Sequence, residues 1–520
     1  MERREFLGRV ATTVSCASIW SVTNGCSGSG GKDAVKAKLP NIVYILADDM
    51  GYGDVSCLNP ESKIPTPRID SLARDGMSFT DAHSGSSVCT PTRYGVLTGR
   101  YSWRTRLKEN VLGRGFEPHL INEGRMTVQS MLKEHGYKTA CIGKWHLGMD
   151  LPTTDGKPAD KNWNVDWHRK IRNNPCDTGF DYFYGMINSL GNPPYIWIEN
   201  DRFIGECSIV KGFDVEGPCT ADFDPYKALP DITERTVKYI EKQDGEKPFF
   251  VYMALTAPHF PLVPSPEFQG KNELGAYGDL CMQVDWTVGQ VLDALKRKGF
   301  DENTIVVFTS DNGCAPYADV EGMEAKGHFP SYIYRGYKSM IWDGGHRIPF
   351  LVRWPKMVKS LTVCDKIICL TDLLATCSEL VEYKLPANAG EDSFSILSAL
   401  YGDDSQLLRR PAVVHHSFNG MFSIRQGKWK LEFCPGSGGW VSPTEKQIAE
   451  QGLARVQLYD MEGDVREKHN VSDKYPGVVE RLTKLMTEYV VNGRSTKGPA
   501  QSNDGAKWWP QLNWMNKEGS

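Results

Sequence analysis

Short apolar, β-branched runs recur along the chain, and each stops abruptly at polar residues. Ile42 to Leu46 ends in Asp48-Asp49, and Thr139 to Ile142 ends in Lys144-Trp145-His146. Phe249 to Leu255 ends in Ala257-Pro258-His259, and Ile305 to Phe308 ends in Asp311-Asn312. Runs this short, bounded by turn residues and apolar at successive positions, read as strands buried on both faces. Between them the apolar period becomes helical, over Met126 to Gly136 and over Tyr277 to Gly299, the second with a basic end closed by glycine. Strands alternating with helices predict an α/β fold, a large mixed, mostly parallel sheet sandwiched by helices. Ligands bind such sheets beyond the carboxyl ends of the strands. Each polar ending alone reads more simply as a solvated turn or packed loop, but all four fall on one rim of one predicted sheet.

After about Leu385 the pattern changes. "MFSIRQGKWKLEF" predicts a hairpin around Gly427, "ARVQLYDMEGDVREKHNV" a further strand, and "PGVVERLTKLMTEYVVNGR" an amphipathic helix. The expected organisation is therefore a catalytic-sized domain over 38–385 and a smaller C-terminal α+β subdomain, an antiparallel sheet plus helix, over 386–520. The tail "KWWPQLNW" carries three tryptophans, read as covering a hydrophobic seam rather than stacking on a ligand.

Composition narrows the function classes. The 520 residues are 40% hydrophobic and 24% charged, ordinary for a globular chain with a large core and room for a second domain. A net charge of -4 supplies no field to recruit nucleic acid, and no apolar run in the body of the chain is long enough to span a bilayer. The N-terminus differs. Arg3-Arg4-Glu5-Phe6-Leu7 resembles a twin-arginine export signal, with the weakly apolar stretch Val10 to Val22 behind it. Gly25-Cys26 and "SGSGGK" resemble a bacterial lipoprotein cleavage site and tether, although Thr23 stands where leucine is usual. Residues 1–37 are thus expected to be a signal and tether, the protein periplasmic or at the cell surface, and a lipid anchor at Cys26 the one membrane attachment. The 14 cysteines include no CxxC pair and no zinc-like spacing with histidine. An odd number remains once Cys16, Cys26 and Cys89 are set aside, which argues against a complete disulfide framework; Cys207 and Cys219 are spaced to pair across a loop.

The rim residues suggest chemistry. Asp48, Asp49, Asp311 and Asn312 are hard oxygen donors, and converging carboxylates repel unless a cation sits between them. Such a set favours calcium or magnesium over zinc. Lys144, His146 and His259 add positive charge and proton transfer, and Arg93 and Lys338 two further cations. A divalent metal ringed by Arg, Lys and His suits a tetrahedral oxyanion, so sulfuryl or phosphoryl transfer is the natural class. Within "GSSVCTPTRYGVLTGR", Thr90, Pro91 and Gly99 predict a helix with Thr90 as N-cap, which puts Cys89 at the positive end of its dipole. A lone cysteine there is most simply a packing residue; the surrounding rim gives it another reading.

"CTPTR" followed by "YGVLTGR" resembles the C-x-P-x-R signature of type I sulfatases, and "LADDMGYGD", "GKWHLG", "APH", "TSDNG" and the lysine of "YKSMIWDGG" follow in that family's order from Asn41 to Trp354. The resemblance implies an alkaline phosphatase-like fold and a Cys89 oxidised to formylglycine (3-oxoalanine), whose hydrated aldehyde is the nucleophile. It implies calcium held by Asp48, Asp49, Asp311 and Asn312 with an oxygen of the modified residue 89. Arg93 would hold the hydrate and Asp311 accept its proton. Lys144, His259 and Lys338 would bind sulfate oxygens and support the leaving oxygen, and His146 would take the remaining hydroxyl proton as sulfate departs. A formylglycine-generating or anaerobic sulfatase-maturating enzyme is the implied partner. "YRGYKSMIWDGGHRIPF" looks most like bacterial carbohydrate sulfatases of the arylsulfatase A-like branch, so the expected substrate is a sulfated glycan, exo-cleaved at galactose or N-acetylgalactosamine sulfate. His346 and Arg347 are candidate contacts to sugar hydroxyls, and the loops from Asp150 to Asp231, with Trp163, Trp167, His168, Arg172, Tyr195 and Trp197, are candidate pocket walls. Two alternatives are a phosphomonoesterase or phosphodiesterase on the same broad fold and a non-catalytic glycan-binding scaffold.

Overall fold

The centre of the main sheet is five parallel strands in the order Tyr182–Met186, Lys138–Lys144, Phe249–Ala254, Asn41–Ala47 and Thr304–Ser310. Beyond Thr304–Ser310 an antiparallel strand, Phe350–Arg353, leads to Met77–Phe79 and Thr362–Cys364; two short antiparallel strands extend the opposite edge, for ten strands in all. The computed structural model describes residues 38–113, 115–160, 163–443 and 445–515, so the export signal and Cys26 lie outside the described residues.

Alternate residues of the central strands face opposite ways, and both faces are buried. Ile42, Tyr44 and Leu46 join Phe250, Tyr252, Ile305 and Val307 in one core, under the helices Cys89–Thr98, Val128–Glu134 and Leu373–Leu380. Val43, Ile45 and Ala47 join Val251, Met253, Val306 and Phe308 in another, under Pro67–Arg74, Ala228–Glu241 and Ala276–Arg297. That last helix buries Val284, Val288, Val291 and Leu295 at helical spacing. Each such side chain contributes about 1.5–3 kcal/mol on burial, an amount that fixes the helix against the sheet.

Residues after 400 form a separate four-stranded antiparallel sheet, Val413–His416, Phe422–Gln426, Trp429–Glu432 and Gln457–Asp460, with the helix Pro476–Val491 against it. The expected hairpin turns at Gly427, whose φ of 56° suits the two-residue connection between Gln426 and Trp429. The terminal tryptophans cover a seam: Trp509 is buried and Trp514 lies 4.1 Å from Phe433 in the core of this sheet. Every described cysteine is a free thiol, Cys207 and Cys219 included. Cys219 pairs in register with Ile209, which offsets it from Cys207, and its thiol donates to Thr220 O instead. Among the described residues no helix is long and apolar enough to cross a membrane.

Candidate active site

Strand register brings the polar endings together. Ala47 is level with Ser310, Leu46 with Ala254, and Ala254 with Gly143. Backbone pairing continues one step further, from Asp311 N to Ala47 O at 3.1 Å and from Asp48 N to Ala257 O at 3.0 Å. Asp48, Asp49, Asp311 and Asn312 therefore emerge side by side. At Gly143 the chain has φ 116° and approaches its neighbour so closely that a Cβ would lie 1.8 Å from Ala254 O, so glycine is required one residue before Lys144. Asp49 (φ 69°) and His146 (φ 57°) also adopt left-handed backbone, strain of the kind that collects at functional sites. The Asp49 turn is braced from below: Tyr277 Oη reaches both Asp49 O, at 3.2 Å, and Asp54, whose carboxylate also accepts from Gly51 N and meets His328.

Three buried cations are tied to the acids. Lys144 Nζ lies 2.9 and 2.8 Å from the two Asp48 oxygens, and Lys338 Nζ 2.7 Å from Asp49. Arg93 donates Nε and Nη2 to Asp311 Oδ2 at 3.0 and 2.7 Å, and Nη2 is 3.3 Å from Asp48. Burial pushes the Asp48 carboxyl up, but Lys144, His259 and Arg93 outweigh it and hold the group well below the usual carboxylate range. For Asp311 burial wins over Arg93, with Asp48 adding repulsion, and its pKa rises to about 6.

Cys89 stands on this floor, Sγ 3.6 Å from Asp48 Oδ1. Its helix begins at Cys89 itself with Val88 at the N-cap, two residues earlier than an N-cap at Thr90 predicts, and closes at Gly99, φ 62°. Thr90 does not cap because its hydroxyl accepts from Leu112 N at 3.2 Å. Burial pushes the Cys89 thiol up to about 12, against Lys144 and Lys338, so the helix terminus does not make it a thiolate.

The histidines are held in defined tautomers. His146 Nε2 donates to Leu112 O at 2.8 Å, which leaves the buried Nδ1 a bare acceptor with no partner among the described residues. Burial, with Lys144 and Arg93 nearby, holds this ring far below the ordinary histidine range. His259 Nδ1 donates to Phe260 O at 2.5 Å and Nε2 lies 3.4 Å from Tyr317 Oη; burial, with Lys338 beside it, lowers its pKa to about 4. Tyr317 had no signal in the sequence, yet its hydroxyl sits 3.0 Å from Asp49 Oδ2 and 3.1 Å from Lys338 Nζ.

A cavity of about 490 Å³ opens over Cys89, His146, His259 and Lys338. The structure does not bring His346 and Arg347 to it. The short helix Asp343–His346 turns both inward: His346 stacks on His415 at 3.7 Å and meets His83, while Arg347 bonds Thr80 O and Asp81 in a buried network with Arg425. The 150–231 loops contribute Ser189, Asn192 and Asp214 rather than the expected aromatics; Trp167 packs on Phe203, and Tyr195 and Trp197 on Phe223.

Residues 40–383 match the sulfatase family. The chain belongs to the sulfatase family. The sulfatase is 32% identical, over 90% of its length and 96% of the relative's, to an N-acetylgalactosamine-6-O-sulfatase of Bacteroides thetaiotaomicron. It is 30% identical to human arylsulfatase A, over 89% and 90% of the two chains. A solved sulfatase structure from a Bacteroides thetaiotaomicron locus for metabolism of multiple glycosaminoglycans superimposes with a TM-score of 0.76 at 32% identity, covering 87% of this chain and 99% of that one. The protein is accordingly a sulfuric ester hydrolase.

The donor set fits a calcium-sized cation. Ligand atoms of Asp48, Asp49, Cys89 and His259 lie within 4.8 Å of one another. Asn312 Nδ2 donates to Asp49 at 2.7 Å, which leaves its buried Oδ1 without a partner among the described residues, as a metal-ligating amide oxygen would be. Three lysine and arginine charges already balance three carboxylates. A divalent ion held here would therefore make the floor net positive, which suits an anionic ester.

Proposed function

We propose that the protein removes sulfate from a sulfated glycan, exo-acting on galactose or N-acetylgalactosamine sulfate, with residue 89 in its formylglycine form and calcium at Asp48, Asp49, Asp311 and Asn312. The single observation that carries this is the setting of Cys89: a neutral, buried thiol on a floor of paired acids and cations, 3.6 Å from Asp48 and open to the cavity. A thiol held up to about 12 is a poor nucleophile in its own right and makes sense as a precursor. Its sulfur marks where an oxygen of the modified residue would stand. In that form residue 89 supplies a hydrate oxygen as nucleophile, and calcium supplies charge stabilisation for it and for the sulfate.

The remaining work falls to side chains. Lys144 and Lys338 present ammonium groups on either side of the Asp48-Asp49 pair and bind sulfate oxygens. Arg93, fixed to Asp311, orients the hydroxyls at residue 89, and Asp311, with its raised pKa, takes a proton from them. His259 stands beside Lys338 and Tyr317 to support the departing sugar oxygen. His146, neutral and with Nδ1 bare, is the acceptor for the last hydroxyl proton as sulfate leaves. The substrate choice rests on the N-acetylgalactosamine-6-O-sulfatase relative. Arg3-Arg4, Phe6-Leu7 and Cys26 support export to the periplasm or cell surface with a lipid tether, and a formylglycine-generating or anaerobic maturating enzyme is the required partner.

The test has two parts. Mass spectrometry of the tryptic peptide Asp75 to Arg93, from protein made in its native host, is expected to show the aldehyde or its hydrate at residue 89. Sulfate release from defined galactose and N-acetylgalactosamine sulfates is expected from that protein. An unmodified thiol, or activity confined to glucosamine or aryl sulfates, defeats the proposal.

A further inference from the structure

The floor of the cavity holds lysine and arginine, each paired to a carboxylate, and the described part of its rim holds neither. Among the described residues lining it, Lys338 is the one fixed cation, and it lies on the floor, paired to Asp49 at 2.7 Å. The rim carries neutral polar groups, Ser189 and Asn192, joined by a 3.1 Å hydrogen bond from Asn192 Nδ2 to Ser189 Oγ. Beside them is one carboxylate, Asp214, exposed and with no hydrogen-bond or ion-pair partner among the described residues. Tyr317 and Trp440 form the aromatic part, ring centroids 6.1 Å apart and 31° from parallel, exposed by 45% and 42%. Tyr317 is anchored by its hydroxyl on Asp49 and Lys338, and Trp440 by an edge contact to Phe418 at 4.8 Å.

The turn that carries Asp214 is held in place. Tyr195 Oη lies within hydrogen-bond distance of Gly191 O and Val215 O, at 2.9 and 2.5 Å, and Val215 N donates to Gly191 O at 3.0 Å. These contacts clamp the Asp214 turn against the loop bearing Ser189 and Asn192. An unpaired carboxylate on a braced turn at the mouth of a sulfate-binding cavity accepts hydroxyl or amide N–H donors and repels anions. The exposed aromatic faces suit the apolar side of a pyranose ring.

We propose that Asp214 makes this site selective for a sugar whose ring carries a single anionic group, the scissile sulfate, and that it disfavours rings bearing a second sulfate or a carboxylate. The selection rests on the sulfatase reading above and refines its substrate. One sulfate enters at the floor, the ring lies against Tyr317 and Trp440, and its neutral hydroxyls or N–H face Asp214, Asn192 and Ser189. A second anion near the rim meets Asp214 and finds no cation among the described lining residues there. At 5–6 Å and partial solvent exposure, that repulsion is worth about tenfold in affinity, and salt weakens it.

The test compares kcat/KM of the matured full-length protein on N-acetylgalactosamine 6-sulfate and 4,6-disulfate, and on galactose 6-sulfate against its disulfated counterpart. Wild type, Asp214→Asn and Asp214→Lys are measured at low and high salt. The wild type is expected to prefer the monosulfated sugars by about tenfold or more, mostly through KM, and less so at high salt. Asp214→Asn is expected to narrow the preference about tenfold and Asp214→Lys to narrow it further or reverse it. Calorimetry with Cys89→Ala protein reads the same ratios as binding, without turnover. Active wild type with ratios unchanged in both variants overturns this inference alone. No turnover of any sulfate ester by protein carrying formylglycine overturns the sulfatase reading, and this inference with it.

Discussion

Asn312 donates its amide to Asp49 at 2.7 Å while its own buried Oδ1 has no partner among the described residues. An uncompensated buried carbonyl costs about 1–3 kcal/mol, and three carboxylates converge beside it. Calcium bound there stabilises the fold by mass action, about 2.7 kcal/mol at a hundred times its dissociation constant. Chelation is therefore expected to lower the thermal midpoint and abolish activity, and calcium to restore both. Asn312→Ala should weaken the calcium dependence of the midpoint. Denaturation curves indifferent to chelator in the wild type would remove the cation from this site.

His146 and His259 differ in which nitrogen is bare and in what surrounds it. His146→Ala is expected to lose about 10²–10⁴-fold in kcat, the usual worth of a general base, with a single turnover of leaving group preceding the stall. His259→Ala is expected to lose rate in leaving-group release itself. Rapid-quench measurement with an aryl sulfate separates the two; a burst from His259→Ala and none from His146→Ala exchanges their roles.

Tyr317 gives a gentler perturbation. Its hydroxyl is the shared partner of Asp49 Oδ2 and Lys338 Nζ, and a hydrogen bond to a charged group is worth about 1.5–3 kcal/mol. Tyr317→Phe keeps the ring and should reduce kcat/KM about ten- to hundredfold, with circular dichroism unchanged. Wild-type kinetics from that variant would show that Lys338 needs no such guide.

The rim was legible in the sequence because buried parallel strands are short, uninterrupted apolar runs whose ends announce themselves. Ile42 to Leu46 cannot continue through Asp48-Asp49, and register then places that ending beside Asp311. Adjacency in sequence misled at His346 and Arg347, which follow Lys338 closely but are rotated by the Asp343–His346 turn into a buried network with Asp81 and Arg425. That network joins residues 344 positions apart, a separation no local pattern reports. Tyr317 lies on the single 3-10 turn Pro316–Ala318, and Trp440 and Asp214 on irregular loops, where periodicity carries no information. Helix position puts Cys89 at the positive end of a dipole, which alone would favour a thiolate, and full burial outweighs it.

Asp285 links pH to stability away from the active site. On the helix Ala276–Arg297 it accepts from Arg68 N and Ile69 N, both at 2.8 Å, and so caps Pro67–Arg74 from outside. Burial outweighs those two donors and raises its pKa to about 6. Because the folded value exceeds the ordinary carboxylate value of about 3.9, the stability it contributes is fully present below that value and is lost as pH rises through 6. The loss amounts to about 2–3 kcal/mol. Asp285→Asn keeps an acceptor without the charge, so its stability relative to wild type should rise between pH 4.5 and 7.5. A difference in urea midpoints that stays constant over that range contradicts the assignment.

Lys430 shows how the C-terminal sheet supports the site. Its buried Nζ lies 2.6 Å from Glu467, 2.9 Å from Asp343, 3.2 Å from Glu432 and 3.0 Å from Ile341 O, on the segment that follows Lys338. Glu467 also accepts from Asp343 N at 2.7 Å, and Ser437 O accepts from Ile341 N at the same distance. Lys430→Met leaves buried carboxylates without a counterion, a loss of about 3–5 kcal/mol. Burial already pushes Glu467 well above the usual carboxylate range even with Lys430 present, so the variant should recover stability at acid pH, where its acids take up protons. Adding Glu467→Gln should recover part of the loss at neutral pH. Because Lys430 grips Ile341 while Lys338 grips Asp49, the single variant should also raise KM more than it lowers kcat. A urea midpoint equal to wild type at neutral pH would mean that the carboxylates find other partners and that the sheet merely abuts the site.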